Sequence, residues 1–344
     1  MNPTARMSVL LSLAIGTTVT LASHHWLLAW IGLEINTMAI IPFMTQIPHP
    51  RAIEAATKYF LTQASASALV LFSSTLNAWK TGQWEITLLL DPFSITLSLA
   101  LMLKLGLAPL HFWMPEVIQG IPLSTGLILS TWQKIAPLSL LLQIHHLLNN
   151  YVLILIGIAS ILVGGWGGIN QTQLRKIMAF SSIGHLGWMI IILKFNPALT
   201  LFNFILYILM TAATFLALIN ISATKMINIS SAWSKAPALI TITMLLLLSL
   251  AGLPPLSGFA PKLFIIFELV KQNTILVATL IMAASLLALF FYIRLTYVMI
   301  LTTPPNTSNS SMNWRTSHAS LFTSIFSSMA LFMFPASSTL VSIL

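Results

Sequence analysis

The sequence predicts an all-α polytopic membrane protein with about 11 transmembrane helices, and three observations lead to this class. Of the 344 residues, 57% are hydrophobic and 6% are charged, whereas soluble domains carry about 25% charged residues. Apolar runs of about 20 residues, the length that crosses a bilayer as a helix, recur along the whole chain. The connections between these runs are short, so no loop is large enough for an independent soluble domain.

The apolar runs locate the individual helices. We place the spans at residues 3–22, 24–45, 57–78, 92–119, 123–147, 150–169, 174–194, 197–223, 237–271, 275–302 and 320–342. The fourth and ninth runs contain glycine and proline, which interrupt helices, so both are predicted to be broken. The longest polar connection, residues 302–318, precedes the last span.

The two predicted breaks match each other and indicate an internal repeat. GLAPLHFWMPE, residues 106–116, aligns with GLPPLSGFAPK, residues 252–262, at five of eleven positions. The broken spans are the fourth and the ninth, so the period is five spans, and an odd period inverts the topology of the second unit. Paired broken helices in two halves are typical of the central site of a transporter. The alternative is that these prolines only kink the helices for packing.

The repeat divides the chain into three predicted segments. Residues 1–147 form a first five-helix repeat, whose broken helix is the run at 92–119. Residues 148–302 form a second, inverted five-helix repeat, whose broken helix is the run at 237–271. Residues 303–344 form a polar loop and a C-terminal transmembrane helix. We expect the breaks to expose backbone carbonyls and amides at mid-membrane, where ions can be held.

The charges indicate orientation rather than a basic binding face. The net charge of +9 is spread thinly, with no run longer than Arg175-Lys176, so nucleic-acid binding is not expected. With the N-terminus on the positive side, that side collects eight loop cations, and the opposite side collects three. The eight are Arg6, Arg51, Lys58, Arg175, Lys176, Lys225, Lys235 and Arg315; the three are Lys80, Lys194 and Lys271. Positive residues prefer the side from which insertion occurs, and an odd number of spans puts the C-terminus on the far side.

Four ionisable residues lie near the middle of predicted spans: Glu34, Lys104, Lys134 and Lys262. A buried charge of this kind costs about 2.5–3.5 kcal/mol and usually marks an ion or proton path. Glu34 is the only carboxylate at this depth, so it is the natural partner for one of the lysines. We expect the negative C-terminal end of one half-helix to act on Lys104, and the positive N-terminal end of another to act on Lys262. A proton would then be held at one lysine and released from the other.

The evidence for a functional role is weaker for the other polar and aromatic residues. His185 is near mid-depth and His111 follows the first break, and either could join a proton relay or be a hydrogen-bonded packing residue. Trp113, like most other tryptophans here, is expected in the interfacial belt or in packing. The chain has no cysteine, which excludes disulfides, zinc–thiolate sites, iron–sulfur clusters and thiol catalysis. No carboxylate-rich site is present for sodium or calcium, because hard cations require several oxygen ligands.

The chain resembles the antiporter-like membrane subunits of respiratory complex I from end to end. The resemblance rests on WIGLEINTMAIIP (30–42), EAATKYFLTQASAS (54–67), KLGLAPLHFWMPEV (104–117), TWQKIAPL (131–138), QLRKIMAFSSIGHLGW (173–188) and SLAGLPPLSGFAPK (249–262). It implies a proton-pumping unit built from two inverted five-helix repeats. The family's glutamate is matched by Glu34, its lysine beside the first break by Lys104, its central lysine by Lys134 and its exit-side lysine by Lys262.

The resemblance also implies a setting. The chain would be a subunit of a proton-translocating NADH:ubiquinone reductase, with other membrane and accessory subunits and lipid as partners. Its redox chemistry would use FMN, iron–sulfur clusters and ubiquinone in the other subunits, so no cofactor is expected on this chain. The location would be the mitochondrial inner membrane, with the N-terminus in the matrix and the C-terminus in the intermembrane space.

Two other function classes stay open from the sequence. One is a free-standing cation/proton antiporter, which shares the fold family, and the other is a passive membrane scaffold. The row of ionisable residues at mid-depth argues against the scaffold. The weakest link of a proton path is the span at 197–223, which carries no lysine, histidine or carboxylate. A proton crossing there would need water, Tyr207 or serine and threonine hydroxyls.

Overall fold

The computed structural model describes residues 2–233, 236–301 and 321–343, and this part of the chain is built from helices. The sixteen α-helices described are α1 (Pro3–Ala22), α2 (Trp26–Met44), α3 (Pro50–Thr81), α4 (Phe93–Leu105), α5 (Trp113–Gly120), α6 (Leu123–Ser130), α7 (Ile135–Gln143), α8 (Asn150–Ile169), α9 (Leu174–Ile192), α10 (Pro197–Ile221), α11 (Met226–Ala232), α12 (Pro237–Ala251), α13 (Phe259–Lys271), α14 (Ile275–Leu301), α15 (Leu321–Phe332) and α16 (Ser337–Ile343). The predicted all-α class is confirmed. Lys235, Arg315 and the predicted polar connection lie outside the described residues.

Among the described residues, five helices are long and apolar enough to cross a membrane: α1, α2, α8, α10 and α14. Shorter apolar helices, α4, α12 and α15, fall where the fourth, ninth and last spans are predicted. The chain folds as two compact units, Met1–Gly157 and Ile158–Leu344. The count of eleven spans, the inverted topology and the repeat boundaries at 147 and 302 stay predictions.

Both predicted breaks are present, and both begin in the same way. Helix α4 ends at Gly106 and α12 ends at Gly252, each with a φ of +79°. Left-handed backbone of this kind favours glycine, because a β-carbon would clash with the following carbonyl. The next amide then bonds back into the last turn, Leu107 to Met102 and Leu253 to Leu248. This Schellman arrangement satisfies carbonyls that the end of the helix would otherwise leave open.

The predicted span at 123–147 is interrupted as well, which the sequence analysis missed. Helix α6 ends at Ser130, a single 3₁₀ turn covers Trp132–Lys134, and α7 follows. Pro137 in the first turn of α7 has no amide proton for a helical bond to the carbonyl of Gln133, four residues earlier. The Thr131 hydroxyl also donates to the Leu127 carbonyl at 2.7 Å. Lys134 therefore lies at a helix interruption, as Lys104 and Lys262 do.

The predicted last span, 320–342, is not one continuous helix. It consists of α15 and the short α16, and the residues between them include Pro335. Proline removes one helical hydrogen bond and its ring clashes with the preceding turn, which accounts for the interruption.

Candidate functional site

Two of the predicted site residues in the first unit face one cavity. Lys104 is in the last turn of α4 and Lys134 ends the 3₁₀ turn, and their exposed fractions are 7% and 3%. The cavity they share has a volume of about 20 Å³, which is space for about one water molecule. Its other lining residues are Leu33, Asn36, Thr37, Tyr59, Gln63, Leu105, Trp113, Leu129, Gln133, Ala136 and Pro137.

The Lys104 ammonium forms no hydrogen bond within the described part of the chain. The carbonyls at the end of α4, which are its nearest acceptors along the chain, are taken by neutral donors. The indole Nε1 of Trp113 donates to the Leu103 carbonyl at 3.2 Å, and the Gln63 amide donates to the Lys104 carbonyl at 3.5 Å. The expectation that the break leaves its carbonyls open for ions is therefore wrong at these positions.

Glu34 forms no ion pair with a lysine in the described residues. Its Oε2 is buried with no hydrogen-bond partner in the described residues, and the ion pairs found there join Lys58 to Glu54 and Glu116. Glu34 nevertheless acts electrostatically on both Lys104 and Tyr59. The carboxylate is thus coupled to the lysine through the field between α2 and α4 and not by direct contact.

The turn that carries Lys134 is attached to α2. The side-chain amide of Gln133 donates to the Asn36 carbonyl at 3.1 Å, and Asn36 also lines the shared cavity. This hydrogen bond holds the interruption of the fifth span against the helix that carries Glu34. The structure therefore brings Lys104 and Lys134 together, with Glu34 as an electrostatic neighbour of Lys104.

The second unit places Lys262 at its own break, in the first turn of α13. The side chain runs back across the break, and its ammonium donates to the carbonyl of Ala251, the last residue of α12, at 2.6 Å. The expected dipole effect is therefore wrong: the negative end of α12, not the positive end of α13, is next to the charge. The error arose because the backbone position of a lysine does not fix where its long side chain reaches.

Lys262 lines a second cavity, also of about 20 Å³, with His185 from α9 and Tyr292 from α14. The remaining lining residues are Ile161, Gly164, Phe180, Ser181, Gly184, Trp188, Leu250, Ser285, Ala288 and Phe291. The His185 ring also lies 5.7 Å from that of Tyr207 on α10. His185 therefore lies at the cavity of Lys262, beside a second aromatic ring.

His111 and Trp113 both fit the packing alternative that the sequence left open. His111 is buried in the first break, where a ring nitrogen lies 3.2 Å from the Pro109 carbonyl, and it does not line the cavity of Lys104. Trp113 is buried and hydrogen-bonded within the protein. The polar nitrogen of a tryptophan so close to a break was the signal that could have found its role.

Metal binding has no support in the described residues, where no three histidine, aspartate or glutamate side chains form a candidate metal site. The arrangement present is suited to protons instead. Each unit has buried or partly buried amines beside a water-sized cavity, and in the second unit a histidine and a tyrosine join the lysine. All of these groups can accept or donate a proton.

Comparison with known proteins gives the family. A family model described as "NADH:quinone oxidoreductase/Mrp antiporter, TM" matches residues 23–288, and one described as "NADH dehydrogenase subunit 2 C-terminus" matches residues 289–341. NADH-ubiquinone oxidoreductase chain 2 of Aquarana catesbeiana is 69% identical over 343 residues, covering 99% of both chains. The chain 2 of Xenopus laevis is 60% identical over 316 residues, covering 92% of both.

Solved structures agree with this result. A chain of respiratory complex I from Thermus thermophilus, solved with bound aureothin, has a TM-score of 0.82 and 26% identity, covering 96% of this chain and 79% of that one. A chain of the Mrp complex from Dietzia sp. has a TM-score of 0.82 at 17% identity, covering 97% and 75%, and shows a shared fold. The chain therefore belongs to the NADH:quinone oxidoreductase/Mrp antiporter family of membrane proteins, and its curated relatives are vertebrate NADH-ubiquinone oxidoreductase chains 2.

Proposed function

We propose that this chain is a proton-translocating membrane subunit of respiratory complex I, and that Glu34, Lys104, Lys134 and Lys262 carry the protons. The observation that supports this most is the placement of the three lysines. Each lies at a helix interruption and faces a cavity of about 20 Å³. Keeping charged groups inside a membrane costs several kcal/mol, and this cost is usually tolerated where ions or protons pass.

In the first unit, a proton would pass between Lys104 and Lys134 through the cavity that both line. The Lys104 ammonium has no hydrogen bond to break within the described residues, so its proton is available to a water molecule in that space. Glu34 would set the charge of Lys104 electrostatically, since the two interact without contact. A change of charge on the carboxylate is then felt at the lysine.

In the second unit, Lys262 would exchange protons with the cavity that it shares with His185 and Tyr292. The ring of Tyr207 on α10 lies 5.7 Å from that of His185, and this tyrosine carries a hydroxyl. This supplies one polar group on a helix that has no lysine, histidine or carboxylate. His111 is not included in the path, because its ring is turned to a carbonyl of its own loop.

The driving reactions would be NADH oxidation and ubiquinone reduction in other subunits, which hold FMN and iron–sulfur clusters. A chain without cysteine offers no thiolate ligands for such clusters, so we propose that it binds no redox cofactor itself. Its partners would be the other membrane and accessory subunits and lipid. Its location would be the mitochondrial inner membrane, with a matrix N-terminus and an intermembrane-space C-terminus. Protease protection of tagged termini in mitoplasts tests this orientation, and a matrix-exposed C-terminus would contradict it.

A free-standing cation/proton antiporter is the second candidate, because the Mrp complex shares the fold. The relatives favour the complex I subunit, since 69% identity over 99% of both chains is found with an NADH-ubiquinone oxidoreductase chain. A passive scaffold would gain nothing from three lysines at three interruptions. Mass spectrometry of the purified assembly separates the first two, because only a complex I subunit copurifies with redox subunits.

The central test is replacement of Lys134 by methionine, which keeps the length of the side chain and removes its charge. In coupled membranes we expect proton pumping and NADH oxidation to fall at least tenfold, while the complex still assembles on native gels. Lys271→Met is the control, because Lys271 is exposed at the end of α13. Normal pumping by an assembled Lys134→Met complex would show that the buried lysine is not part of the path.

A further inference from the structure

We propose that Gly252 is a positioning residue for Lys262: its missing side chain leaves the space in which the ammonium reaches the Ala251 carbonyl. The seat, as we call it, consists of the Ala251 carbonyl, the hydrogen-bonded Lys262 ammonium and the space beside Gly252. The part of this proposal that concerns pumping rests on the proposed function. The part that concerns the position of the ammonium does not.

The distances around Gly252 carry the proposal. A β-carbon built on Gly252 would lie 2.7 Å from the ammonium nitrogen of Lys262 and 2.9 Å from each of its Cε and Cδ atoms. Carbon atoms that are not bonded pack at about 3.5–4.0 Å. Any side chain at position 252 would therefore displace the end of the lysine, and with it the hydrogen bond to Ala251.

The displaced atoms are at the far end of a flexible side chain, not in the backbone. The lysine can therefore move while α12 and α13 keep their places. The result of a substitution would be a misplaced ammonium and an Ala251 carbonyl without its donor. This effect is different from the backbone strain that any non-glycine residue would suffer at a φ of +79°.

Two other glycines distinguish the displacement of Lys262 from the backbone strain. Gly106 ends α4 with the same φ, but its β-carbon would meet Met114 Sδ and the Trp113 ring at 3.2 Å, and no lysine. Gly82 ends α3 with a φ of +73°, and nothing lies within 4 Å of the place of its β-carbon. Gly82→Ala therefore imposes the backbone strain alone and is the matched control.

The first arm of the test is a double-mutant cycle on the melting temperature of the assembled complex. The variants are Gly252→Ala, Lys262→Ala and the two together. We expect the decrease in melting temperature caused by Gly252→Ala to be at least halved in the Lys262→Ala background. In that background no lysine side chain occupies the space beside position 252. Gly82→Ala should lower the melting temperature by the same amount in both backgrounds. Equal losses from Gly252→Ala in both backgrounds would overturn the proposal, whatever carries the protons.

The second arm measures the pH profile of turnover and the proton-to-electron ratio in coupled vesicles. We expect Gly252→Ala to change the profile and to lower the ratio at least threefold, because the ammonium has moved. Gly82→Ala should keep both at their normal values. If the cycle shows coupling but Gly252→Ala pumps normally with an unchanged profile, the position of the ammonium does not matter for pumping and the functional part of the proposal is wrong.

Discussion

The two breaks, one in each unit, share a backbone and differ in the side chain that occupies the end of the first half-helix. Gly106 and Gly252 have the same φ and are followed by the same back-bonding amide. In the first break, the neutral indole of Trp113 donates to the Leu103 carbonyl in the last turn of α4. In the second, the ammonium of Lys262 donates to the carbonyl of Ala251, the last residue of α12. Glycine and proline thus set the shape of a break, while its chemistry depends on the donor that fills it.

The same comparison shows how a lysine can change its place in the sequence and still serve a similar cavity. In the repeat alignment, Lys104 corresponds to Leu250, and Lys262 corresponds to Glu116. Leu250 lines the second cavity as Lys104 lines the first. Glu116 is exposed and pairs with Lys58 at 2.6 Å. The lysine thus precedes the break in the first unit and follows it in the second.

The largest effect is expected from Lys262→Arg. An arginine keeps its charge in proteins, so it cannot release a proton as a lysine can. We expect an assembled complex whose pumping and coupled NADH oxidation fall at least tenfold. Lys271→Arg, at the exposed end of the same helix, is the control. An Lys262→Arg complex with a normal proton-to-electron ratio would show that proton release from Lys262 is not required.

Trp113→Phe should make the first break resemble the second. The Leu103 carbonyl would lose the indole and keep only the Gly106 amide as a donor, and one lost hydrogen bond costs about 0.5–1.5 kcal/mol. The Lys104 ammonium would then have an acceptor at the helix end, so we expect pumping to fall severalfold and the melting temperature of the complex to drop. Trp79→Phe is the control, since Trp79 is 88% exposed. Unchanged pumping and melting would mean that Trp113 only fills space.

Much of this could be predicted from the sequence. Composition and run length gave the all-α class, and matched glycines and prolines located both breaks to within a few residues. The four mid-depth ionisable residues were found by counting along each span, and the structure places three of them at interruptions. The interruption at Lys134 is not predicted, because Pro137 lies in an otherwise apolar run and membrane helices tolerate a proline.

The rest depends on side-chain direction, which a single sequence does not contain. The reach of Lys262 back to Ala251 and the bond from Trp113 to Leu103 both cross a break. Their geometry is set by how two half-helices pack, not by local propensity. For the same reason the shared depth of Glu34 and Lys104 predicts electrostatic coupling but not whether the two side chains form an ion pair.

A smaller effect is expected from Ser257→Ala. The hydroxyl of Ser257, in the second break, donates to the Ala330 carbonyl of α15, so the C-terminal region holds this break. The aligned residue of the first break, His111, lies against its own loop instead. We expect a loss of about 1 kcal/mol in stability and a modest fall in pumping. Ser324→Ala, at an exposed position on α15, is the control. Equal losses of stability and pumping in both variants would show that the hydrogen bond of Ser257 has no particular role in holding the break.

The smallest effect on stability is expected at the exposed cluster of charges where α3 and α5 meet. Glu54 is exposed, and the hydrogen bond and charge of Lys58 hold its pKa below the usual 4.5. A carboxyl whose pKa is lowered on folding contributes stability above its unfolded pKa, and the contribution is lost as the pH falls through the folded value. Lys58 also pairs with Glu116, so this cluster ties α3 to the second half of the first broken helix.

Glu54→Gln should therefore lower the melting temperature of the complex slightly at pH 7, and this difference should shrink as the pH falls through the lowered pKa of the wild-type carboxyl. The difference should shrink in about 1 M salt, because exposed pairs are screened there. Glu85→Gln is the control, an exposed glutamate in the same unit that is not part of the cluster. The second break has a lysine at the position of Glu116, turned inward. A Glu54→Gln effect larger than that of Ser257→Ala would mean that this exposed cluster, and not the packing of the break, holds the first broken helix in place.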